Sequence, residues 1–316
     1  MQTKYILGID TSNYTTSCAL MTLEGELIAN VKRPLPVKSG ECGLRQSDAV
    51  FAHVKNLPSA MEEIATHLHG VVVAVGVSER PRNVEGSYMP CFLSGVSAAS
   101  TLAAGAGIPL YRFSHQCGHI MAALYSAGRM DLLNSTFCAF HVSGGTTEML
   151  RVKRDGFAFS AELVGGTRDL NAGQVIDRIG VLMGLAFPAG AHLERLALEN
   201  QEKLPKRKVS IDGMHVNLSG LENMAAAYLR EGRSPAFVSA FVLDFIGRAL
   251  IGLSDAYASV YGDTEFLYAG GVMSNSILKR MLRDGRRASF AEPALSADNA
   301  VGIANLARLR YLSENE

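Results

Sequence analysis

The sequence predicts an α/β protein built from one strand-rich unit repeated twice, and three observations carry that prediction. Short apolar strands end abruptly in polar or glycine turns at Asp10-Thr11-Ser12, Ser143-Gly144-Gly145 and Gly270-Gly271. A strand, turn, strand, hairpin, strand pattern occurs near residues 5–33 and again near 137–163. Helical periodicity follows each copy. Two βββαβα lobes with a cleft between them are the expected architecture.

Tyr5 to Asp10 is the first apolar run, with Thr15–Met21 and Glu26–Lys32 as its antiparallel neighbours and Glu24-Gly25 as the hairpin turn. Pro34 to Gly43 reads as a loop. Ser47 to His67 is helical, with Val50, Val54, Leu57, Met61 and Ile64 along one side. Val71–Val77 is a β-branched run suited to a buried sheet position. An irregular loop to Pro90, a small-residue helix over Phe92–Ala106 and a short strand at Ile108–Tyr111 complete the first copy.

In the second copy Phe137–Val142 is the leading strand, with Thr147–Lys153 and Phe157–Leu163 joined at Asp155-Gly156. Helices are expected over Leu170–Met183, Ala236–Tyr261, Ser274–Leu282 and Ala297–Leu312, and a buried strand over Glu265–Ala269. The Pro- and charge-bearing stretch from Ala186 to about Pro235 reads as an insertion. The expected division is residues 1–112 and 113–316, with helix 299–316 packing back on the first lobe.

The chain has 316 residues, 30 basic and 30 acidic side chains and five cysteines. Zero formal charge gives no global field for nucleic acid, so an RNA partner would need a local basic face. Lys203–Lys208 and Arg280–Arg287 are the two candidates, and both also read as ordinary solvated surface. An odd cysteine count without CxxC spacing argues against a disulfide framework. No leader-like start and no uninterrupted membrane-length apolar run is seen, so a cytoplasmic protein with no membrane partner is expected.

His115 and His119 lie four residues apart at a helix start. That spacing puts both imidazoles on one face, near enough to share a metal or to be incidental neighbours. Asp298, at another helix start, is either an N-cap or the oxygen ligand of a two-histidine, one-carboxylate set suited to iron or zinc. The glycine turns let backbone amides approach an oxyanion, and the Gly270-Gly271 junction opens a helix, a plausible phosphate seat. Asp10 is placed to orient a metal or water, or to cap a turn. Asp177 suits ribose hydroxyls or pairing with Arg178 or Arg168, and Gly190 lies in a turn that would admit an adenine ring.

Taken in order, these motifs resemble the TsaD family, enzymes that make N6-threonylcarbamoyladenosine in tRNA next to the anticodon. Leu7-Gly8-Ile9-Asp10-Thr11-Ser12, His115-Gln116-Cys117-Gly118-His119, Val142-Ser143-Gly144-Gly145-Thr146-Thr147 and Ala269 to Asn275 carry the resemblance, with Ala172–Arg178, Phe187–Ala191, Asn217–Glu222 and Asp298-Asn299-Ala300. It implies the duplicated ASKHA fold of actin, heat-shock ATPases and sugar kinases. It implies a divalent metal, iron or zinc, on His115, His119 and Asp298. Asp10 and Ser12 would be catalytic. His141, Val142, Ser143, Gly144, Gly145, Asp177, Gly190, Gly270, Gly271 and Asn275 would hold ATP, AMP or threonylcarbamoyl-adenylate. Implied partners are tRNA, an ASKHA-fold subunit of the TsaB type and an ATPase.

The sequence also departs from the family. Asn13-Tyr14-Thr15-Thr16 lacks the acid found after the first strand, and Cys117 replaces the glutamate between the histidines. Thr146 replaces a histidine, Glu222 a lysine, and the loop Pro81–Pro90 is rewritten. A paralogue that keeps the metal and nucleotide sites but acts as a partner subunit, or on another amine, is the alternative expectation.

Overall fold

The computed structural model describes residues 2–12, 14–36, 44–295 and 300–315. In chain order the elements are β1 (Thr3–Ser12), β2 (Thr15–Thr22), β3 (Leu27–Pro34), α1 (Gln46–Thr66), β4 (Gly70–Arg80), α2 (Phe92–Ala106), β5 (Leu110–Ser114) and α3 (His115–Ser126). Then come β6 (Phe137–Val142), β7 (Thr147–Asp155), β8 (Ala158–Thr167), α4 (Ala172–Leu182), α5 (Gly190–Leu198), β9 (Ile211–Asp212), β10 (His215–Val216), α6 (Ser219–Arg230), α7 (Pro235–Tyr261), β11 (Phe266–Ala269), α8 (Ser276–Arg283), β12 (Ala288–Phe290) and α9 (Val301–Asn315). Two compact units result, one of residues 1–130, 154–160 and 294–316, the other of 131–153 and 161–293.

The first unit holds a five-stranded sheet in the order β3-β2-β1-β4-β5. β1 lies between antiparallel β2 and parallel β4, and Tyr5 through Ser12 are all buried. A strand covered on both faces needs no alternation, which explains the continuous apolar run. On one face Leu57, Ala60 and Ile64 of α1 and Ala99 and Ala103 of α2 pack with Leu7, Ile9, Val75 and Val77. On the other, Ala300, Val301 and Ala304 join Ala19 and Met21.

The division expected at residue 112 differs from the observed grouping, which keeps α3 in the first unit. The physical reason is the crossing of α3 and α9. A Cβ on Gly302 would stand 1.8 Å from the Gly118 carbonyl oxygen, so the two helix backbones touch there. Cys117, next to that crossing, exchanges hydrogen bonds with the Phe159 backbone through its sulfur, at 3.5 Å to O and 3.4 Å from N.

The second unit holds a seven-stranded sheet, β12-β11-β6-β7-β8-β10-β9. With β6 as the first strand of this copy, β8-β7-β6-β11-β12 repeats the third-second-first-fourth-fifth order of the first sheet. The duplication read from the turns is therefore present in the pairing itself. The expected insertion is structured: α5, the β9–β10 hairpin over Gly213-Met214 and α6 fill it, and β10 continues the sheet beside β8. α7 is long and apolar enough to cross a membrane by composition, although Asp244, Arg248 and Asp255 interrupt its apolar run. The most apolar stretch of this helix is nevertheless 67% buried within the protein. Phe237, Phe241, Leu250 and Tyr257 of that helix pack into the core of the second unit.

Candidate active site

In the first unit the chemistry gathers where β1 and β5 end. Asp10 is fully buried. Its Oδ1 accepts a hydrogen bond from the Ser78 hydroxyl of β4 and lies 3.1 Å from His115 Nδ1. His115 and His119 sit one turn apart on α3, whose start is capped by Ser114 accepting from the Cys117 amide at 3.2 Å. Their Nε2 atoms are 2.9 Å apart and the rings meet at 76°. A carboxylate at Asp10 accepts from His115 Nδ1, which turns His115 Nε2 toward His119.

That arrangement fits a metal. A histidine whose far nitrogen is held by a carboxylate is the usual supporting arrangement of a ligating imidazole. The second Asp10 oxygen is buried without a partner. Asp10 thus stands behind His115 rather than in line with both rings, and among the described residues no cluster of three or more metal-ligating side chains forms. The expected third ligand, Asp298, lies outside the described residues. Ser12 is buried with its hydroxyl unpartnered.

One buried residue here is not legible from spacing. His53, on α1, is fully buried, with Nδ1 2.8 Å from the Thr16 hydroxyl. Burial lowers its pKa below the ordinary histidine value, against the opposing pull of the Ser12 backbone and the Asp10 charge. Cys117, in contrast, is a buried thiol raised above its usual pKa by burial and committed to Phe159, so its side chain is structural.

The second unit carries a cavity of about 350 Å³ lined by Gly144, Asp177, Gly190, Glu194, Gly271 and Asn275 among others. Its walls come from the β6–β7 turn, α4, α5 and the loop after β11. Gly173 is required where α4 meets the turn, since a Cβ there would lie 2.6 Å from the Gly144 amide nitrogen. Ser143 ties the turn, its hydroxyl accepting from the Gly145 and Thr146 amides at 3.3 and 3.1 Å. Asp177 pairs with neither arginine offered for it: Arg178 bonds Glu222 at 3.0 Å and Arg168 bonds Asp212. Asp177 instead accepts from the Ala189 amide at 2.8 Å and faces the cavity. Glu222, which stands where the family has a lysine, is paired with Arg178.

The phosphate seat expected at the Gly270-Gly271 junction is corrected by the fold. Gly271–Ser274 forms a 3-10 turn, and the first amides of α8 are already capped. Asn275 Oδ1 accepts from Ile277 and Leu278 at 3.0 and 3.1 Å, and Glu194 accepts from the Ser276 amide at 2.8 Å. Glu194 is not among the residues the sequence singles out; its only sequence signal is its place one turn after Gly190. Gly144, Asp177, Gly190, Gly271 and Asn275 are brought to one cavity. Val142 is buried beneath it, and Gly270 turns the chain with φ +102°. His141 and Gly145 do not line it.

A family model described as tRNA N6-adenosine threonylcarbamoyltransferase matches residues 42–305. The chain belongs to the TsaD family. A TsaD-family enzyme named tRNA N6-adenosine threonylcarbamoyltransferase from Bacillus licheniformis is 29% identical over 290 residues, covering 88% of this chain and 82% of its own. One of the same name from Streptococcus suis is 29% identical, covering 100% and 95%. A probable bifunctional tRNA threonylcarbamoyladenosine biosynthesis protein of Thermoplasma acidophilum is 26% identical over 98% of this chain, which spans 56% of that protein. Among solved structures, HypF superposes with a TM-score of 0.61 at 12% identity, covering 98% of this chain and 56% of that one. A ROK family glucokinase from Streptomyces griseus gives 0.52 at 15%, covering 96% and 99%. These establish the ASKHA fold.

Proposed function

We propose that this TsaD-family chain transfers the threonylcarbamoyl group from threonylcarbamoyl-adenylate to the N6 amine of an adenosine in tRNA, beside the anticodon. The observation that carries the reading is the histidine pair backed by buried Asp10, an arrangement suited to one divalent ion. The second-unit cavity supports it. Two carboxylates and no lysine or arginine line it, which suits ribose hydroxyls better than phosphates. Asp177 and Glu194 accept the hydroxyls of the adenylate, and the small residues Gly190 and Ala191 admit the adenine ring. The Gly144 amide, uncommitted among the described residues, is left for the acyl phosphate.

His115 and His119, with Asp298 as third ligand, would hold one divalent ion, which would supply Lewis-acid polarisation of the reacting carbonyl. Asp10 would hold His115 in the tautomer that leaves Nε2 for ligation. The adenine N6 amine attacks the carbamoyl carbon, the carbon–oxygen bond to the phosphate breaks, AMP departs and the amine proton passes to solvent. Deleting the gene should remove N6-threonylcarbamoyladenosine from cellular tRNA, and wild type should restore it while His115→Ala should not. Unchanged tRNA in the deletion strain sinks the tRNA reading. The alternative, a nucleotide-binding partner subunit or a transferase for another amine, is favoured by the turn at Tyr14-Thr15-Thr16, which has no acid. That reading predicts unchanged tRNA with intact nucleotide binding.

A further inference from the structure

We propose that the segment Lys203–Lys208, on the second unit, is the surface that docks the phosphate backbone of the RNA substrate; this rests on the tRNA reading above. The fold separates the two basic clusters. The one on and after α8 is neutralised at its C-terminal end, where Arg286 pairs with Asp255 at 2.6 Å and Arg287 with Asp263 at 3.2 Å and Glu265 at 3.8 Å. Lys279 and Arg283 stand over the Phe290 ring. The other cluster is not spent. Among the described residues Lys203, Lys206 and Lys208 have no carboxylate partner, and the Arg207 side chain meets only the Tyr228 hydroxyl, at 3.3 Å. Arg233 alone in this group is paired, with Glu202 at 3.0 Å.

Shape agrees with charge. Lys203, Lys206, Arg207 and Arg233 line an open concavity of about 710 Å³. Lys208 lines a second, of about 300 Å³, with His215 and the paired Arg168 and Asp212. Four unpaired cations within six residues repel one another, and a chain of phosphates relieves that repulsion while releasing its own counterions. The segment follows α5, which begins at the nucleotide cavity with Gly190. Eight residues of helix rise place the end of α5 about 12 Å further along its axis.

The test is the salt dependence of unmodified tRNA binding by the full chain, from roughly 50 to 300 mM salt. Lys203→Ala/Lys206→Ala/Lys208→Ala should weaken binding about tenfold or more and flatten the log–log salt slope by about two to three. Arg280→Ala/Arg283→Ala should leave the slope unchanged. At saturating tRNA the triple variant should keep kcat with a raised KM, and its melting temperature should match wild type. Equal slopes for wild type and the triple variant overturn the surface alone and assign the lysines to an acidic protein partner or to solvent. No tRNA binding by wild type at the lowest salt overturns both this surface and the tRNA reading.

Discussion

The two candidate functional regions of this protein are built from opposite materials. The first unit's cluster is made of side chains: Asp10, Ser78, His115 and His119 are linked in a chain of hydrogen-bond contacts. The second unit's cavity is made largely of backbone, at Gly144, Gly173, Gly190 and Gly271, with Asp177 and Glu194 as its charged groups. The difference teaches where divergence is tolerated. A backbone cradle survives Thr146 and Glu222 because neither side chain builds it. In the side-chain cluster, Cys117 points at Phe159 rather than joining the contact between His115 and His119.

Breaking the side-chain cluster has the largest expected effect. His115→Ala or His119→Ala removes an imidazole that nothing replaces. Bound divalent metal, measured on purified protein by elemental analysis, falls from about one equivalent toward zero. Asp10→Asn acts at one remove, and metal affinity should fall about 10- to 100-fold by competition with a chelator. Unchanged affinity would make Asp10 a purely structural acid.

The backbone region is probed by a single methyl group. Gly173→Ala drives a Cβ into the Gly144 backbone, so urea unfolding should show a loss of about 1–3 kcal/mol together with weakened AMP binding. Gly190→Ala meets nothing within 4 Å and should leave stability unchanged. Equal stability of the two variants would contradict the packing of α4 on the turn. Glu194→Gln keeps the acceptor that caps α8 but removes a charge, so AMP affinity should fall by about tenfold or less.

The smallest effect is one of pH. His53 has a folded pKa below its unfolded value of 6.5, so the unfolded chain binds more protons as pH drops through that range. Its contribution is complete above 6.5 and lost as pH falls through 6.5 toward the lowered value. The melting temperature of wild type should decline over that window, and His53→Gln should flatten the decline. Identical profiles would mean another group titrates there.

Much of this was legible in the sequence, for physical reasons. Strand ends announce themselves when a β-branched run stops at Ser-Gly-Gly or Asp-Thr-Ser, and the i, i+4 spacing of His115 and His119 survives any detail of packing. What was hidden depended on contacts distant in the chain. His53 reads as one more helical residue until Thr16, 37 positions away, is placed against it. Glu194 gains its meaning only from Ser276, 82 positions on. β12 is three residues long and held by pairing with β11, too short for any pattern. The division after residue 112 missed α3 because the Gly118–Gly302 crossing is a matter of backbone contact.

The most direct test of the central claim is to incubate the purified chain, loaded with metal, with threonylcarbamoyl-adenylate and unmodified tRNA, and to analyse the nucleosides by mass spectrometry. The account predicts N6-threonylcarbamoyladenosine with wild type and none with His115→Ala. Stable binding of the adenylate without any modified adenosine, also when an ASKHA-fold partner subunit and ATPase are supplied, would contradict it.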